Sequence, residues 1–493
     1  MIALATVPLL WPPVPPLVDV PGHIARYHIM LGGVSPALEQ AFAFRWELIG
    51  YLGGEIAVRV LAPLLGLELS VKLLMIAIPM ATVAGALWLS REAHGRVQPL
   101  AILALPLAYN FAFQMGFVNY TLAMAMMLNA LALWMRLGRF GRLRTRAALF
   151  VPLSFAIWLA HFFAWIVLGL VLFCAELTRE RSSRRGWILS AWYAGIACLP
   201  LSLPFLMFLH WEPGSSSEQD FWNSLLRKPV WLTSALRDRW AAFDILSVGL
   251  IIAAIYAGLR FSVFRRSPEL LAGAGGLFLL FLIMPFGAAY ADARLVPFVL
   301  MLAVLAIGTS AKMPASRQQL IVVLVLAFVV VRTAAGTVSL ALENRNWDRH
   351  LESLHHIPRA SRVATFVMNS CTTPWTMERL NHLPSMAIVR RDSFTNDQWS
   401  FGGNGTLKIR AQGIEGFDSD PSQMVTPSGC LDSRTLAQAL ARLPRTHFDY
   451  VWIIGAEGFQ PLAFPWLAPA WVDNGDFLLR IDRRRLSDPP FSN

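Results

Sequence analysis

Charged residues are scarce in this chain. Asp, Glu, Lys and Arg make up only 15% of its 493 residues, whereas 56% are hydrophobic, with 18 Trp and 31 Phe among them. A soluble protein of this length carries more charge relative to its apolar residues. The composition therefore excludes an ordinary soluble protein and predicts one that crosses a membrane several times.

Several well-known enzyme motifs are also missing. The sequence contains no Walker loop, no CxxC pair, no HExxH and no GxSxG. The phosphate loop, the redox or zinc pair and the nucleophile elbow that these motifs build are therefore not predicted. Any chemistry has to come from residues outside those patterns.

Cysteine is rare too, with only four residues in the chain. Cys174 and Cys198 fall in apolar runs, where small buried thiols are ordinary. Cys371 and Cys430 lie in the polar C-terminal third. If that region is outside the cytoplasm, where disulfides persist, these two can pair. We predict the disulfide, with two separate thiols as the alternative.

Positive charge is in excess, and it is concentrated in short loops. The net charge is +11, and the basic loops between apolar segments are SREAHGR (90–96), RLGRFGRLRTR (136–146), RERSSRR (179–185), RFSVFRR (260–266) and AKMPASRQ (311–318). Short Arg-rich loops mark the cytoplasmic side of a membrane protein. The excess therefore predicts topology first and contact with anionic membrane lipids second, and it does not predict nucleic acid as a partner.

Eleven apolar runs are predicted to span the membrane. They cover residues 1–11, 69–89, 98–113, 119–135, 147–160, 162–178, 187–208, 245–259, 269–287, 295–309 and 320–340. With the N-terminus inside, every basic loop falls on the cytoplasmic side and the C-terminal region falls outside. The first run is shorter than the roughly 20 residues that a span needs. The chain is divided at His161 because one long helix there would put RERSSRR outside.

Two outer segments and the C-terminal third lie outside the predicted membrane spans. Segments 12–68 and 210–244 are long, and 22–32 and 46–64 have the helical spacing of helices lying at the membrane interface. The predicted strands are 362–369, 384–391, 450–456 and 476–482, with a helix at 433–443 opened by Ser433. The predicted fold is an α-helical polytopic membrane bundle (1–342, first outer loop 12–68) followed by a soluble extracytoplasmic α/β domain (343–493).

Polar residues directly follow the first apolar run, in PPLVDVPGHIARYHIM (15–30). Pro21 allows a helix to begin at about residue 22, and Asp19 lies just before it. The residues that then share one face are His23, Arg26, Tyr27 and Met30. One interpretation is structural, with Asp19 as a helix cap and Arg26 snorkelling to lipid headgroups. The other is a carboxylate beside phosphate-binding cations at the mouth of a membrane cavity.

This arrangement resembles the GT-C class of polyprenyl-phosphate-dependent glycosyltransferases. The resemblance rests on the acidic outer-loop segment DVPGHIAR, the interfacial helices, the number of spans and the outer α/β domain. In that class the acidic residue of the first outer loop is the catalytic base or helps to hold a divalent metal, and the resemblance gives this role to Asp19. Many members carry an acidic pair, but Val20 follows Asp19 here, so a Mg²⁺ or Mn²⁺ ion on Asp19 stays an open question.

Other polar residues at the outer ends of predicted spans are candidate substrate-binding residues. With His23, Arg26 and Tyr27, they are Asn110, Asn119 and Tyr120 of the hairpin 109–120, His161 at the proposed break, and Arg294 in YADARLVPF (290–298). The alternatives are structural: hairpin amides that bind the main chain, a histidine satisfied by a carbonyl and a snorkelling arginine. Glu47 is a candidate second carboxylate.

The predicted function is therefore a glycosyltransferase of the bacterial inner membrane. It would move a hexosyl or pentosyl group from a polyprenyl-phosphate donor to a glycan, lipid or protein acceptor at the outer face. A transporter or flippase of lipid-linked saccharides would place charges or broken helices at mid-membrane, whereas the polar residues here cluster at outer ends. A non-catalytic assembly protein is the third hypothesis, against which the proximity of Asp19 and Arg26 in sequence argues.

Overall fold

The computed structural model describes residues 1–208, 221–287, 290–372, 374–400, 405–428, 430 and 434–485. Residues 210–220 of the predicted second outer segment lie outside the described residues, as does Ser433, which was predicted to open a helix.

The α-helices in the described residues are α1 (Val20–Leu31), α2 (Pro36–Ala41), α3 (Gly53–Leu65), α4 (Leu67–His94), α5 (Ala104–Ala108), α6 (Phe111–Gln114), α7 (Val118–Arg139), α8 (Leu143–Ala160), α9 (Phe162–Ser182), α10 (Trp187–Cys198), α11 (Phe205–Phe208), α12 (Phe221–Thr233), α13 (Ala241–Arg260), α14 (Pro268–Ile283), α15 (Val296–Leu305), α16 (Ala315–Leu351), α17 (Met386–Arg391) and α18 (Leu436–Arg442).

The chain divides into two compact units. The helical unit comprises Met1–Trp11, Gly50–Gly54 and Leu73–Ser339, and the α/β unit comprises Pro12–Ile49, Glu55–Lys72 and the chain from Leu340 onward. The prediction placed the first outer loop with the membrane domain. The structure places most of that loop in the α/β unit, because residues such as Ala25 and Ile29 belong to its hydrophobic core.

Within the part of the chain that the structure describes, six helices are long and apolar enough to cross a membrane, so this is a multi-pass membrane protein. They are Leu67–His94, Val118–Arg139, Leu143–Ala160, Phe162–Ser182, Ala241–Arg260 and Ala315–His356. Four shorter apolar helices, Pro99–Gln114, Trp187–Leu201, Pro268–Ile283 and Ala293–Leu305, coincide with other predicted spans. The first predicted span is a seven-residue 3₁₀ helix, Ala3–Leu9, far shorter than a crossing requires. The predicted count of eleven spans is therefore not confirmed.

The predicted break at His161 is confirmed. Helix α8 ends at Ala160 and α9 begins at Phe162, while His161 between them has extended angles, φ −164° and ψ 118°. The His161 Nδ1 atom accepts a hydrogen bond from the main-chain N–H of Phe163 at 3.1 Å. The imidazole thus caps α9 and satisfies one of the N–H groups that a helix start leaves without a partner.

The α/β unit contains a five-stranded mixed sheet. The strands described in the chain are β1 (Phe42–Phe44), β2 (Phe264–Arg266), β3 (Ile307–Thr309), β4 (Val363–Met368), β5 (Leu407–Ile409), β6 (Met424–Val425), β7 (Tyr450–Ile454), β8 (Leu467–Asp473) and β9 (Asp476–Ile481). The sheet order is β6-β4-β7-β9-β8. Strand β4 is parallel to β6 and β7, whereas β9 is antiparallel to β7 and β8. In the same unit β1 pairs antiparallel with β5.

Three of the four predicted strands are present, as β4, β7 and β9. The fourth, predicted at 384–391, is wrong, since Leu383–Ser385 is a 3₁₀ turn that leads into helix α17. A short buried apolar run fits a helix as well as a strand. The predicted helix at 433–443 is α18, which begins at Leu436 and is capped by Thr435 in a capping box with Gln438.

Helix α1 is enclosed by protein within the α/β unit. Ten of its twelve residues are buried, and Ala25 and Ile29 pack into the core that includes Phe366, Ile388 and Phe394. The prediction of an interfacial helix at 22–32 is therefore wrong. Its polar face meets the segment that follows α17 rather than a membrane surface.

Candidate active site around Asp19

Asp19 lies at the start of α1, where its backbone has right-handed helical angles, φ −91° and ψ −5°. Pro21 occupies the first turn, where proline is tolerated because its missing N–H would have no partner inside the helix. The Asp19 side chain makes no capping hydrogen bond, and 16% of it remains exposed. A capping role therefore does not describe this carboxylate.

A histidine that the sequence did not single out lies against Asp19. His382 Nε2 is 3.9 Å from Asp19 Oδ1, and His382 Nδ1 lies 2.9 Å from the main-chain oxygen of Asp397. Because a carbonyl oxygen only accepts hydrogen bonds, Nδ1 must carry a proton. In the neutral ring, the lone pair on Nε2 then faces the carboxylate.

Arg26 is fixed in the same cluster by Trp399. Its Nη2 donates to the main-chain oxygen of Trp399 at 2.9 Å, and the guanidinium carbon lies 5.0 Å from the indole centroid, within cation–π range. Only 2% of Arg26 is exposed. The side chain does not reach outward, so the snorkelling interpretation is wrong, and the cluster holds a permanently charged, buried cation.

The Trp399 ring also contacts both histidines of the cluster. Ring centroids lie 4.7 Å apart for His382 and 5.3 Å apart for His23. Gly22 permits this approach, because a Cβ atom there would lie 2.3 Å from the indole. Any larger residue at position 22 would displace Trp399 and with it the support of Arg26.

His23 and Tyr27 are buried in forms that carry no charge at neutral pH. Burial, reinforced by Arg26 and His382, holds the pKa of His23 well below its ordinary value. Burial and Glu55, opposed by Arg26, raise the pKa of Tyr27 well above its ordinary value. From the sequence, His23 is expected to be a phosphate-binding cation. In the structure its imidazole is neutral, so it can contribute hydrogen bonds but not charge.

A network of short polar contacts holds the segment that carries Trp399. Gln398 Nε2 donates to the main-chain oxygen of Gly22 at 3.2 Å and to Ser385 Oγ at 2.7 Å. The two carboxylate oxygens of Asp397 accept from Ser385 Oγ at 2.8 Å and from Thr395 Oγ1 at 2.7 Å. Burial nevertheless raises the pKa of Asp397 to about 6, against the effects of His382 and the two hydroxyls.

The described residues around Asp19 do not supply a complete set of protein ligands for a divalent metal. Among the described residues no three His, Cys, Asp or Glu side chains form a group that could hold an ion. Mg²⁺ and Mn²⁺ prefer several oxygen ligands, whereas the cluster around Asp19 consists of imidazole, guanidinium and indole groups. Glu47, the candidate second carboxylate, instead lies 3.6 Å from Lys408 Nζ. We therefore derive no step through a metal.

The two hairpin asparagines make contacts with the main chain of the helical unit. Asn110 Nδ2 donates to the oxygen of Leu107 at 2.8 Å, and its Oδ1 accepts from the N–H of Phe113 at 3.2 Å. Asn119 Nδ2 donates to the oxygen of Tyr51 at 2.8 Å, and its Oδ1 accepts from the N–H of Gly54. Both amides therefore bind the main chain, which is the structural alternative considered for the hairpin. Substrate binding by them stays a prediction.

Tyr120, His161 and Arg294 are brought together in the helical unit. Tyr120 Oη donates to the main-chain oxygen of Arg294 at 2.9 Å. The Tyr120 ring lies 5.3 Å from the His161 ring and 5.6 Å from the Arg294 guanidinium carbon. Arg294 also lies 3.9 Å from the ring of Phe117. These three candidate residues thus lie close together, and their contact with substrate stays a prediction.

The neighbour of Arg294 in sequence has a different role. Asp292 Oδ2 accepts from Lys228 Nζ at 2.7 Å, and Asp292 Oδ1 accepts from the N–H of Gly287 at 3.1 Å. Lys228 also donates to the main-chain oxygen of Met284 at 2.6 Å. Both charged side chains are almost fully buried, so this is an internal ion pair of the helical unit.

Two of the four cysteines form a disulfide, and the other two are free thiols. Cys371 and Cys430 form a disulfide, with Cα atoms 5.3 Å apart and 59 positions between them in sequence. Cys174 and Cys198 are free thiols, both partly buried.

No protein-family model matches the sequence, and no curated protein does. The crystal structure of ArnT from Cupriavidus metallidurans bound to undecaprenyl phosphate is similar over 100% of this chain and 97% of that chain. The sequence identity is 13% and the TM-score is 0.48, and at that level we draw no conclusion about chemistry from the similarity.

Proposed function

We propose that this protein is a membrane glycosyltransferase that moves a sugar from a polyprenyl-phosphate donor to an acceptor hydroxyl. The observation that carries the proposal is the cluster in which the partly exposed Asp19 carboxylate meets His382 and the buried Arg26 is fixed on Trp399. Taking a guanidinium out of water is costly, and catalysis at a phosphate gives a reason to retain one there. A multi-pass membrane protein lies in the lipid bilayer, where a polyprenyl chain is soluble.

The reaction accounts for the kinds of residue in the cluster. The bond between the anomeric carbon and the phosphate oxygen breaks, and its electron pair stays on the phosphate. A new bond forms between the acceptor oxygen and the anomeric carbon, and the acceptor proton passes to Asp19 as general base. Arg26 stabilises the charge of the leaving phosphate, and the neutral His23 adds a hydrogen bond.

Several finer features belong to the same proposal. The α/β unit is extracytoplasmic, so transfer takes place at the outer face of the inner membrane to a glycan, lipid or protein acceptor. The hairpin residues Asn110 and Asn119 and the group of Tyr120, His161 and Arg294 are proposed to contact the donor or acceptor. Glu47 has no part in the reaction as we propose it, because its carboxylate pairs with Lys408.

Asp19→Asn tests this function. The full-length protein in nanodiscs is given a panel of undecaprenyl-phosphate hexoses and pentoses together with a cell-envelope extract as the source of acceptor, and release of undecaprenyl phosphate is measured by mass spectrometry. The variant is expected to insert normally and to lose at least about 10²-fold to 10³-fold in rate. Asp348→Asn, which changes an exposed aspartate on α16, is the matched control.

Equal donor consumption by Asp19→Asn and the unchanged protein would contradict the assignment of the base. A flippase makes a different prediction when the same protein is reconstituted in sealed vesicles, because it moves the intact lipid-linked sugar to the other leaflet without releasing free undecaprenyl phosphate. Movement without consumption would therefore replace the transferase proposal with the transporter hypothesis.

A further inference from the structure

The imidazole of His382 is held on three sides. Its Nδ1 donates to the main-chain oxygen of Asp397 at 2.9 Å, its ring packs 4.7 Å from the indole of Trp399, and its Nε2 faces Asp19 Oδ1 at 3.9 Å. The ring cannot turn over without losing the hydrogen bond to Asp397. The orientation of Nε2 toward Asp19 is therefore fixed by the hydrogen bond to Asp397 and by packing on Trp399.

The charged and titratable groups around this ring come from two elements. Helix α1 contributes Asp19, His23 and Arg26, and the segment after α17 contributes Asp397. His23 is neutral because burial depresses its pKa, and Arg26 is directed to the main chain and ring of Trp399. Asp19 is thus the carboxylate that lies within salt-bridge distance of Nε2.

We propose that His382 is the proton-relay partner of Asp19, a positioning residue of the reaction put forward above, on which this inference rests. With Nδ1 protonated, Nε2 offers its lone pair to a proton held by Asp19. The separation of 3.9 Å exceeds a hydrogen bond. Catalytic contacts of this kind commonly shorten when substrate binds.

The relay leaves atoms and electrons balanced. The acceptor O–H bond breaks as the acceptor oxygen bonds to the anomeric carbon, and the electron pair of the old glycosyl bond leaves on the phosphate. The proton moves first to Asp19 and then to His382 Nε2, which leaves an imidazolium beside a carboxylate. That ion pair returns the proton to water after product release, and Asp19 is again ionised for the next turnover.

The relay has a consequence for the pH dependence of the rate. When Nε2 is already protonated from solution, it cannot accept the proton from Asp19, so the imidazole contributes to the fall of the rate at low pH. Without the imidazole that contribution is lost, and the acid side of the profile moves to lower pH. A histidine that served packing alone would not set the position of that limb.

His382→Asn separates the relay from the structural role. The asparagine amide is placed like Nδ1 and can still donate to the oxygen of Asp397, while the Nε2 atom is removed. His382→Gln removes the Nδ1 contact instead and shows the effect of losing it. His356→Gln, an exposed histidine in the 3₁₀ turn Glu352–His356, is the control for substitution alone.

The experiment measures donor consumption by the full-length protein in nanodiscs from pH 5 to pH 8.5, with thermal stability checked for each variant. For His382→Asn we expect kcat to fall by about 10²-fold at neutral pH, the lower end of acid–base contributions. We also expect KM to change little and the acid limb of the profile to move to lower pH.

Two results would overturn the relay. One is a His382→Asn protein with the kcat and pH profile of the unchanged protein, and the other is a lower kcat with the acid limb in the same place, as expected for a structural role. Full activity of Asp19→Asn would instead overturn the proposed base. The failure of the relay and the failure of the function are therefore distinguishable.

Discussion

Replacing Asp397 with asparagine is expected to stabilise the protein at neutral pH. The Asp397 side chain is fully buried in the α/β unit, and burial raises its pKa from 3.8 to about 6. Above that pH the folded protein holds a carboxylate ion away from water, whereas the unfolded chain holds the same ion in water. Folding is therefore less favourable than with an uncharged side chain of the same shape.

The magnitude and its sign follow from the pKa. A rise from 3.8 to about 6 corresponds to about 3 kcal/mol of free energy of unfolding. The folded state holds this proton more tightly, so stability declines as pH rises from about 4 to about 6 and stays at the lower level above. Asparagine does not titrate, so its advantage over aspartate grows across that window and is then constant.

The hydrogen bonds of Asp397 change less than its charge. Ser385 and Thr395 donate to the two carboxylate oxygens, and asparagine keeps one oxygen as an acceptor. The hydroxyl facing the new amide nitrogen can rotate and accept from it. Imperfect hydrogen-bond geometry reduces the gain in the free energy of unfolding. It does not change how that gain depends on pH, because asparagine does not titrate.

Thermal unfolding of the purified full-length protein between pH 4.5 and pH 8 measures the effect. About 3 kcal/mol corresponds to a shift of roughly 6–12 °C in a domain of 150–250 residues. Asp348→Asn, at an exposed position of α16, controls for loss of one carboxylate. An Asp397→Asn protein that melts at or below the unchanged protein at pH 7.5, or a difference that does not vary with pH, would refute the reasoning.

Two further variants test the buried ion pair and the disulfide. Lys228→Met leaves the buried Asp292 carboxylate without its ammonium partner and is expected to lower stability by about 3–5 kcal/mol. Adding Asp292→Asn should restore most of the thermal midpoint, and no recovery would argue against charge as the cause. The double variant Cys371→Ser with Cys430→Ser is expected to lower the free energy of unfolding by about 2–4 kcal/mol. A thermal unfolding midpoint equal to that of a Cys174→Ser control would contradict a stabilising disulfide.

Local features of the chain were predictable because their causes lie within a few residues. Pro21 sets the start of α1, and a helix period places His23 and Arg26 on one face of it. The chain breaks at His161 because its side chain caps α9. The strands β4 and β7 follow from continuous runs of β-branched and aromatic residues, which is the composition of a strand buried on both faces.

The partners of Asp19 were not predictable from local pattern. His382 directly precedes the turn that leads into α17, whereas Trp399 lies in the segment that follows α17, which has no helical or strand periodicity. Arg26 and Trp399 are 373 positions apart. The polar face of α1 was therefore assigned to a membrane surface, when in the folded protein it is covered by that segment. A polar and aromatic cluster such as NDQWS (396–400) within an α/β domain is the signal that could have identified this segment, although it does not identify the partner.

The separation between α1 and its partners has a consequence for biosynthesis. The ribosome adds about 5–20 residues per second, so the 373 positions between Arg26 and Trp399 take between about 20 s and about 75 s to translate. During that interval α1 has left the ribosome without the side chains that will enclose it, and a buried arginine is still surrounded by water. A chain truncated after α16 lacks the residues that cover α1. Such truncated forms are therefore expected to expose Ala25 and Ile29 and to require chaperones.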